Sequence, residues 1–531
     1  MRSAAPRSSS RPTASSKSPS GAASSRLALI CVLQFDAASV AVIDRMLGEG
    51  RLPALAALIE RGRRLELATP ADLFAAGAFH TLYSGVELGD HGLFYPFQWD
   101  ASSQRARYMT AYPAPPAIWE RLACAGRRTL AIDPYESRPP SDWRGSYACG
   151  WQFADRVVLP RWSLPRGLGR DLAARHGRGP QATEIFGRPT VRRLLALREK
   201  LVAAPGRVAD VAVDLLGRER YDLVWLTFSA AHLAGHQFWD LSQLAAEPAG
   251  RERQLLSGAL EDVYQAVDAA CARALAALPG DADVIVTSAV GMDVNTSRAD
   301  LLPGMLETVL AGGPVSSGDA GAGAIWRLRA AISPEARGAL ARALPDRTAL
   351  ELTARLELRG VDWSRTQAFC HPADNQGYIR LNLRGRERDG IVDPREADEL
   401  LARIAAGLRT FRDCDGAPAV AGVERAAAQH PGERAAQLPD LVVRWSERPA
   451  TTLAGVTSET FGDIARSGAG SGRSGNHTPG DAWAVVAPGR SAPRVGPGRS
   501  RLADVASTIA TACAVDGDGL GGESLLMPAR H

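Results

Sequence analysis

Short, almost unbroken apolar runs recur along this chain, each too short for a buried helix. LALICVLQF from Leu27, RTLAID (128–133), Leu223 to Phe228, DVIVTS (283–288) and AWAVVAP (482–488) have the length and β-branched content of strands buried on both faces. Between them, apolar residues return at helical spacing: after Asp36 through Met46, over ALAALIERG, and over 191–203, 206–217, 251–277, 301–310, 323–345, 394–410 and 501–513. Pro53 stands where a helix can start and Gly62 where it can end. Further strands are expected at Gly377–Leu383 and over LPDLVVRW (438–445). Residues 135–190, rich in Pro, Arg, Trp and Gly, show no clean period and read as an irregular insertion, a lid candidate. Strands alternating with helices predict an α/β fold with a doubly wound, mostly parallel central sheet and helices on both faces. The expected organisation is a Ser/Arg-rich disordered tail over 1–26, then one α/β domain over 27–525 with insertions near 135–190 and 312–430.

Charge sharpens that boundary. The formal net charge is +4, yet residues 1–26 alone carry five basic residues and no acidic one. The folded part is therefore near neutral, which speaks against a nucleic-acid surface. The ten serines of the tail come without the apolar stretch of a secretory signal. No run approaches the roughly 20 apolar residues of a membrane span. Seven scattered cysteines, none in a CxxC pair, argue against a disulfide framework or a zinc knuckle. The expectation is a soluble, cytoplasmic protein without a nucleic-acid or membrane partner.

Candidate chemistry gathers where strands end, because open α/β sheets bind ligands beyond the carboxyl ends of their strands. The run from Leu223 turns at Ser229 and delivers His232 and His236, four residues apart. On a helix that spacing puts both imidazoles on one face, within reach of one metal ion. The same pair could instead cap a helix and bind nothing. Asp36 follows the first strand, where it could serve as a ligand or as a helix N-cap. His477 lies in a Gly/Ser-rich loop, as a third imidazole or an idle surface residue. Together Asp36, His232, His236 and His477 form a credible mononuclear zinc set of N and O ligands.

Several further pieces occur in a familiar order: VLQFDAASVAVIDRML, LPALAALIERG, FHTLYSGVELGDHGL, DLVWLTFSAAHLAGHQFW, VIVTSAVGM, GYIRLNLRGRERDGIV with DLVVRW, GNHTPGDAWAVVAPG and RLADVASTIATACAVDGDGLGGESLL. In this order the chain resembles the alkaline phosphatase superfamily, most closely its type I phosphodiesterase/nucleotide pyrophosphatase branch. The pieces span both ends and the middle; 135–190 and 312–365 contribute none. The resemblance implies two metals, one held by an Asp and two His, the other by two Asp, a His and a Thr or Ser nucleophile. Asp36, His236 and His477 match that pattern. The nucleophile position falls on Ala75, the Asp-His pair of the second metal on Ala289-Val290, and the Asp of the middle motif on His232.

The resemblance thus implies a metal-dependent hydrolase acting on phosphoric mono- or diesters, a small-molecule partner, and about one zinc per chain. Water activated by the metal would then replace the missing side-chain nucleophile. A catalytically inactive member that binds a ligand or partner through the retained cleft is the alternative. Thr69, Thr81 and Ser84 are the hydroxyls nearest the vacated position, and each could equally be a cap or a packing residue. Arg380, Arg384 and Arg386 could bind an anion, or simply form the solvated face of a strand.

Overall fold

The computed structural model describes residues 29–527 apart from 154, 156, 316–349, 351–360, 374, 467–471 and 495–498. The N-terminal tail and the helical pattern over 323–345 lie outside the described residues. Eight strands form the main sheet: β1 (Ile30–Gln34), β2 (Arg63–Leu67), β3 (Thr129–Ile132), β4 (Gly145–Cys149), β5 (Trp162–Leu164), β6 (Leu223–Thr227), β7 (Asp283–Ser288) and β8 (Ala482–Ala487). Their order is β2-β8-β7-β1-β6-β3-β4-β5. The five central strands, β7 to β4, run parallel; β8 pairs antiparallel with β7, the edge strand β2 antiparallel with β8, and the other edge strand β5 antiparallel with β4. Every residue of β1, β6 and β7 is buried, as their apolar sequences require of strands covered on both faces. Gln34 of β1 pairs with Thr227 of β6 and Thr287 of β7, so three strands end level at one sheet edge. Whatever follows them in sequence is brought together there.

The segment 135–190 departs from the expected irregularity. It supplies β4, β5 and the helix Leu168–His176, and so extends the main sheet. The five residues of β4 (GSYAC) and three of β5 are too short and too polar to show a period. Helices were expected over 191–203 and over 206–217, but one helix runs Val191–Arg218 with Pro205 buried inside it. An interior proline costs about 3 kcal/mol. Leu194, Leu197, Leu201, Val208, Val211 and Leu215 are all buried along the same helix, each contributing about 1.5–3 kcal/mol, so packing outweighs the break. The pattern over 251–277 resolves into two abutting helices, Gly250–Ser257 and Ala259–Ala276. Among the described residues no helix is long and apolar enough to cross a membrane.

The strands near 380 and 440 do not join the main sheet. Ala368–His371, Gly377–Leu381, Leu441–Trp445 and Val420–Arg425 form a separate antiparallel sheet in that order. Leu400, Leu401, Ile404 and Leu408 line one face of the helix Ala397–Leu408 and pack with Met305 and Leu306 over this sheet as a second core. A third, smaller cluster joins the two bodies, with Phe74 and Phe94 from one side meeting Tyr378 and Val442 from the other. Arg298, fully buried, grips Asp413 through both carboxylate oxygens at 2.8 and 2.6 Å. Removing one partner leaves a buried charge unpaired, a loss of about 3–5 kcal/mol. Arg298→Ala is therefore expected to lower the denaturation midpoint sharply, and the Arg298→Ala/Asp413→Ala double variant to lose less than the two single losses combined. A double-mutant cycle in denaturant measures this; additive losses would show that the pair is not coupled.

Candidate metal centre

Asp36 lies two residues beyond β1, in a turn whose next residue, Ala37, takes a positive φ of 49°. It does not cap the following helix, Val40–Gly48, because Ser39 Oγ accepts from Val42 N in that role. Beyond β6 the chain enters the helix Ala230–Phe238, which carries His232 and His236 one turn apart and both buried. His477 comes from a two-stranded antiparallel ribbon, Gly291–Val294 with Gly475–Thr478. Helix and ribbon touch through glycines: a Cβ on Gly475 would collide with the carbonyl oxygen of Gly235, and one on Gly235 would press on Met292. Only glycine allows this approach, which carries His477 over the helix face.

The hydrogen bonds fix where the imidazole protons sit. Nδ1 of His232 lies 3.1 Å from Asp36 Oδ2, and Nδ1 of His236 lies 3.0 Å from the carbonyl oxygen of Gly475. A carboxylate and a carbonyl only accept, so both Nδ1 atoms carry hydrogen. In the neutral rings each Nε2 is then a bare lone pair, and the two Nε2 atoms face one another at 3.0 Å. Two lone pairs at that distance repel unless a cation lies between them. Burial, the Arg473 guanidinium and the neighbouring His232 and His477 rings push the pKa of His236 well below the ordinary imidazole value. A proton on His236 is thus disfavoured. His477 closes the set, with one ligand atom from each of the three rings within 4.8 Å of the others. These three imidazoles can hold a metal ion. Asp36 stands behind His232, on Nδ1, and its buried Oδ1 has no hydrogen-bond partner among the described residues.

The centre opens into a cavity of about 230 Å³. Ala75 and Ala76 line it at the start of the helix Ala75–Ser84, whose N-cap residue Phe74 makes no side-chain cap. The first N–H groups of that helix are therefore available to an anion. Ala289 and Val290 follow β7 as buried apolar residues, and Asp293 is exposed on the ribbon, so none contributes a ligand to the cavity. The alternative hydroxyls are engaged elsewhere. Thr69 Oγ1 donates to Ala289 O at 3.0 Å, Ser84 Oγ donates to His80 O at 2.7 Å, and Thr81 Oγ1 lies 3.0 Å from His91 Nε2.

The arginines near 380 also lie away from the cavity. Arg380 is buried against Glu387 and the carbonyls of Gln437 and Leu438, Arg386 grips Asp440, and Arg384 is paired with Asp393. The sequence reading overlooked Arg473 and Glu184, which line the cavity as an ion pair. The one available signal was the position of Arg473, four residues before His477 in the same Gly/Ser loop.

The model of the type I phosphodiesterase/nucleotide pyrophosphatase family matches residues 30–453. The chain belongs to this family. The matched span holds Asp36, Ala75, His232, His236 and Ala289, whereas His477 lies beyond it. Among solved structures, alkaline phosphatase PafA is 12% identical with a TM-score of 0.51, over 94% of this chain and 98% of that one, a likeness in fold. Phosphonoacetate hydrolase from Sinorhizobium meliloti 1021, in complex with phosphonoacetate, is 17% identical with a TM-score of 0.49, over 92% and 96%. An inactive form of murine ectonucleotide pyrophosphatase/phosphodiesterase 5, in complex with AMP, is 12% identical with a TM-score of 0.45, over 94% and 100%. No curated protein matches the chain in sequence. This phosphodiesterase-family member thus carries three imidazoles at the edge of its central sheet and alanine at the first turn of a helix that lines the same cavity.

The contact behind His232 is open to test. Asp36→Asn retains an acceptor but removes the charge, and metal affinity is expected to fall by about 10–100-fold. Competition between the protein and a chelator for a divalent metal measures this; unchanged affinity would show that the carboxylate does not tune the centre.

Proposed function

We propose that this chain is a single-metal member of its family, with one zinc ion held by His232, His236 and His477 and a phosphoric mono- or diester bound in the adjoining cavity. The observation that supports this most is the facing pair of Nε2 atoms at 3.0 Å, each with its Nδ1 already committed as a donor. Nitrogens about 2.0–2.1 Å from a tetrahedral zinc stand roughly 3.3 Å apart, so the arrangement needs little adjustment to accept one. When bound, such an ion acts as a Lewis acid toward a phosphoryl oxygen and brings the pKa of a coordinated water to about 7.

The protein's own contributions are distinct from that. Asp36 and the Gly475 carbonyl keep hydrogen on Nδ1 and aim the lone pairs of His232 and His236 into the site. The uncapped start of Ala75–Ser84 offers backbone N–H donors to an anion. Ala75 has no nucleophile, so attack on phosphorus comes from water in one displacement, without a phosphorylated side chain. Ala289 and Val290 offer no ligand, which supports one metal per chain rather than two. The seven cysteines, all free, support a reducing compartment. A second reading has its own support: with alanine at position 75, the cleft could bind an ester without turning it over.

Elemental analysis is expected to find about one zinc per chain, removable by chelation and lost in His236→Ala and His477→Ala. With zinc supplied, slow hydrolysis of a panel of phosphate mono- and diesters is expected from the wild type alone, with no trapped phospho-enzyme. Activity that survives both substitutions would sink the proposed centre. Zinc bound in a folded chain with no turnover of any ester would favour the binding reading.

A further inference from the structure

Two neutral side chains in the cavity wall are held in place yet uncommitted at their polar ends. Gln376 is 4% exposed and Tyr135 9%, and both line the cavity beside the three imidazoles. Among the described residues neither the Gln376 amide nor the Tyr135 hydroxyl has a hydrogen-bond partner, and none of these polar atoms is fully enclosed by protein. Buried polar groups are ordinarily paired, so uncommitted ones in a cavity wall are the groups a ligand can use. Both residues are fixed by their surroundings. Asn375, just before Gln376, accepts through its carbonyl oxygen from Ser297 Oγ at 2.8 Å and from Trp445 Nε1 at 2.9 Å, and its Nδ2 donates to the carbonyl oxygen of His477. Just after Gln376, a Cβ at Gly377 would press on Leu302, Trp445 and Val443, so the backbone is closely seated there too. The Tyr135 ring centroid lies 4.6 Å from that of His232 and 5.0 Å from that of Phe79, and its carbonyl oxygen accepts from the Tyr83 hydroxyl at 2.8 Å.

The chemistry of this pair selects its partner. Phosphoryl oxygens in a diester only accept, whereas the Gln376 amide presents an acceptor as well as donors. An ammonium group only donates, and an alkyl chain does neither. A hydroxyl donates and accepts, which matches both the amide and the phenol. We propose that Gln376 and Tyr135 recognise a hydroxyl on the alcohol portion of the ester, so that this chain takes phosphoric esters of a polyhydroxy alcohol in preference to those of a plain alkyl or aminoalkyl alcohol. The assignment rests on the phosphoric-ester reading above and adds the class of alcohol to it. The two groups come from different bodies of the fold, Tyr135 from the loop after β3 and Gln376 from the turn that enters the smaller sheet. A bound hydroxyl is therefore read by both.

The test titrates the full chain, zinc-loaded and chelated, with α-glycerophosphate, propyl phosphate and aminoethyl phosphate in a calorimeter. The wild type is expected to bind α-glycerophosphate about tenfold more tightly than propyl phosphate, as one or two net hydrogen bonds supply. Gln376→Leu removes the amide, and Tyr135→Phe removes the hydroxyl but keeps the ring on His232. Each is expected to cut that preference at least about threefold and to leave propyl phosphate affinity within about twofold. A merely structural role would weaken the esters alike and leave their ratio unchanged. If Gln376→Leu does not fold, Tyr135→Phe carries the test, since it deletes a single atom. Equal binding of α-glycerophosphate and propyl phosphate by the wild type would overturn the assignment, as would a preference that survives both substitutions, or tighter binding of aminoethyl phosphate. Failure of the phosphoric-ester reading looks different: none of the three esters binds in either metal state, and the assignment falls with it.

Discussion

Two hydrogen bonds of modest length decide what the centre of this protein can be. By accepting from Nδ1, Asp36 and the Gly475 carbonyl force His232 and His236 to present lone pairs to one another. Nothing in the surrounding core relieves that opposition, because both rings are buried and a guanidinium stands nearby. A cation placed between the two lone pairs would turn that repulsion into a shared attraction. The sheet register that ends β1, β6 and β7 level, and the glycine contacts that seat the ribbon on the helix, make those two bonds possible.

Much of this was legible in the sequence, and for identifiable reasons. Strands buried on both faces must be apolar throughout, so β1, β6, β7 and β8 announced themselves as short runs. The i, i+4 spacing of His232 and His236 survives translation onto a helix without knowledge of the fold. What escaped was decided by contacts over long sequence separations. Arg473 and Glu184 are 289 residues apart, and neither has a local pattern that distinguishes it from other charged loop residues. Arg380 looked like part of a solvated face, yet it sits under Glu387 and two backbone carbonyls, where tertiary packing overrides the alternation of its strand. The two spans 191–203 and 206–217 form one helix for a related reason: the hydrogen bond lost at Pro205 is local, and the apolar stripe keeps the helix whole.

The smaller sheet does more than add a second core. Its strand Gly377–Leu381 is buried on both sides, with Ile379 in the second core and Tyr378 in the cluster shared with Phe74 and Phe94. Tyr378 also lines the cavity, as do Asn375 and Gln376 just before the strand. Asn375 Nδ2 donates to the carbonyl of His477, so the same segment that walls the cavity also holds the third imidazole. A disturbance of the second core therefore reaches the centre through one short stretch of backbone. This gives physical content to an influence of the smaller sheet on the imidazoles, carried by Asn375.

The ribbon that carries His477 pairs residues 291–294 with residues 475–478, and its partners across the centre are His236 and, behind His232, Asp36. The centre is thus composed of the first strand's end, the middle of the chain and a segment close to its finish. During synthesis the first three groups emerge long before the last, and a chain that stops short of the ribbon has only an incomplete ligand set. An ion bound by the finished set would tie the middle of the chain to the ribbon that carries His477, and its binding free energy would add to the stability of the whole. Occupancy of the centre would then require that the ribbon has been made and seated on the helix, apart from any reaction it supports.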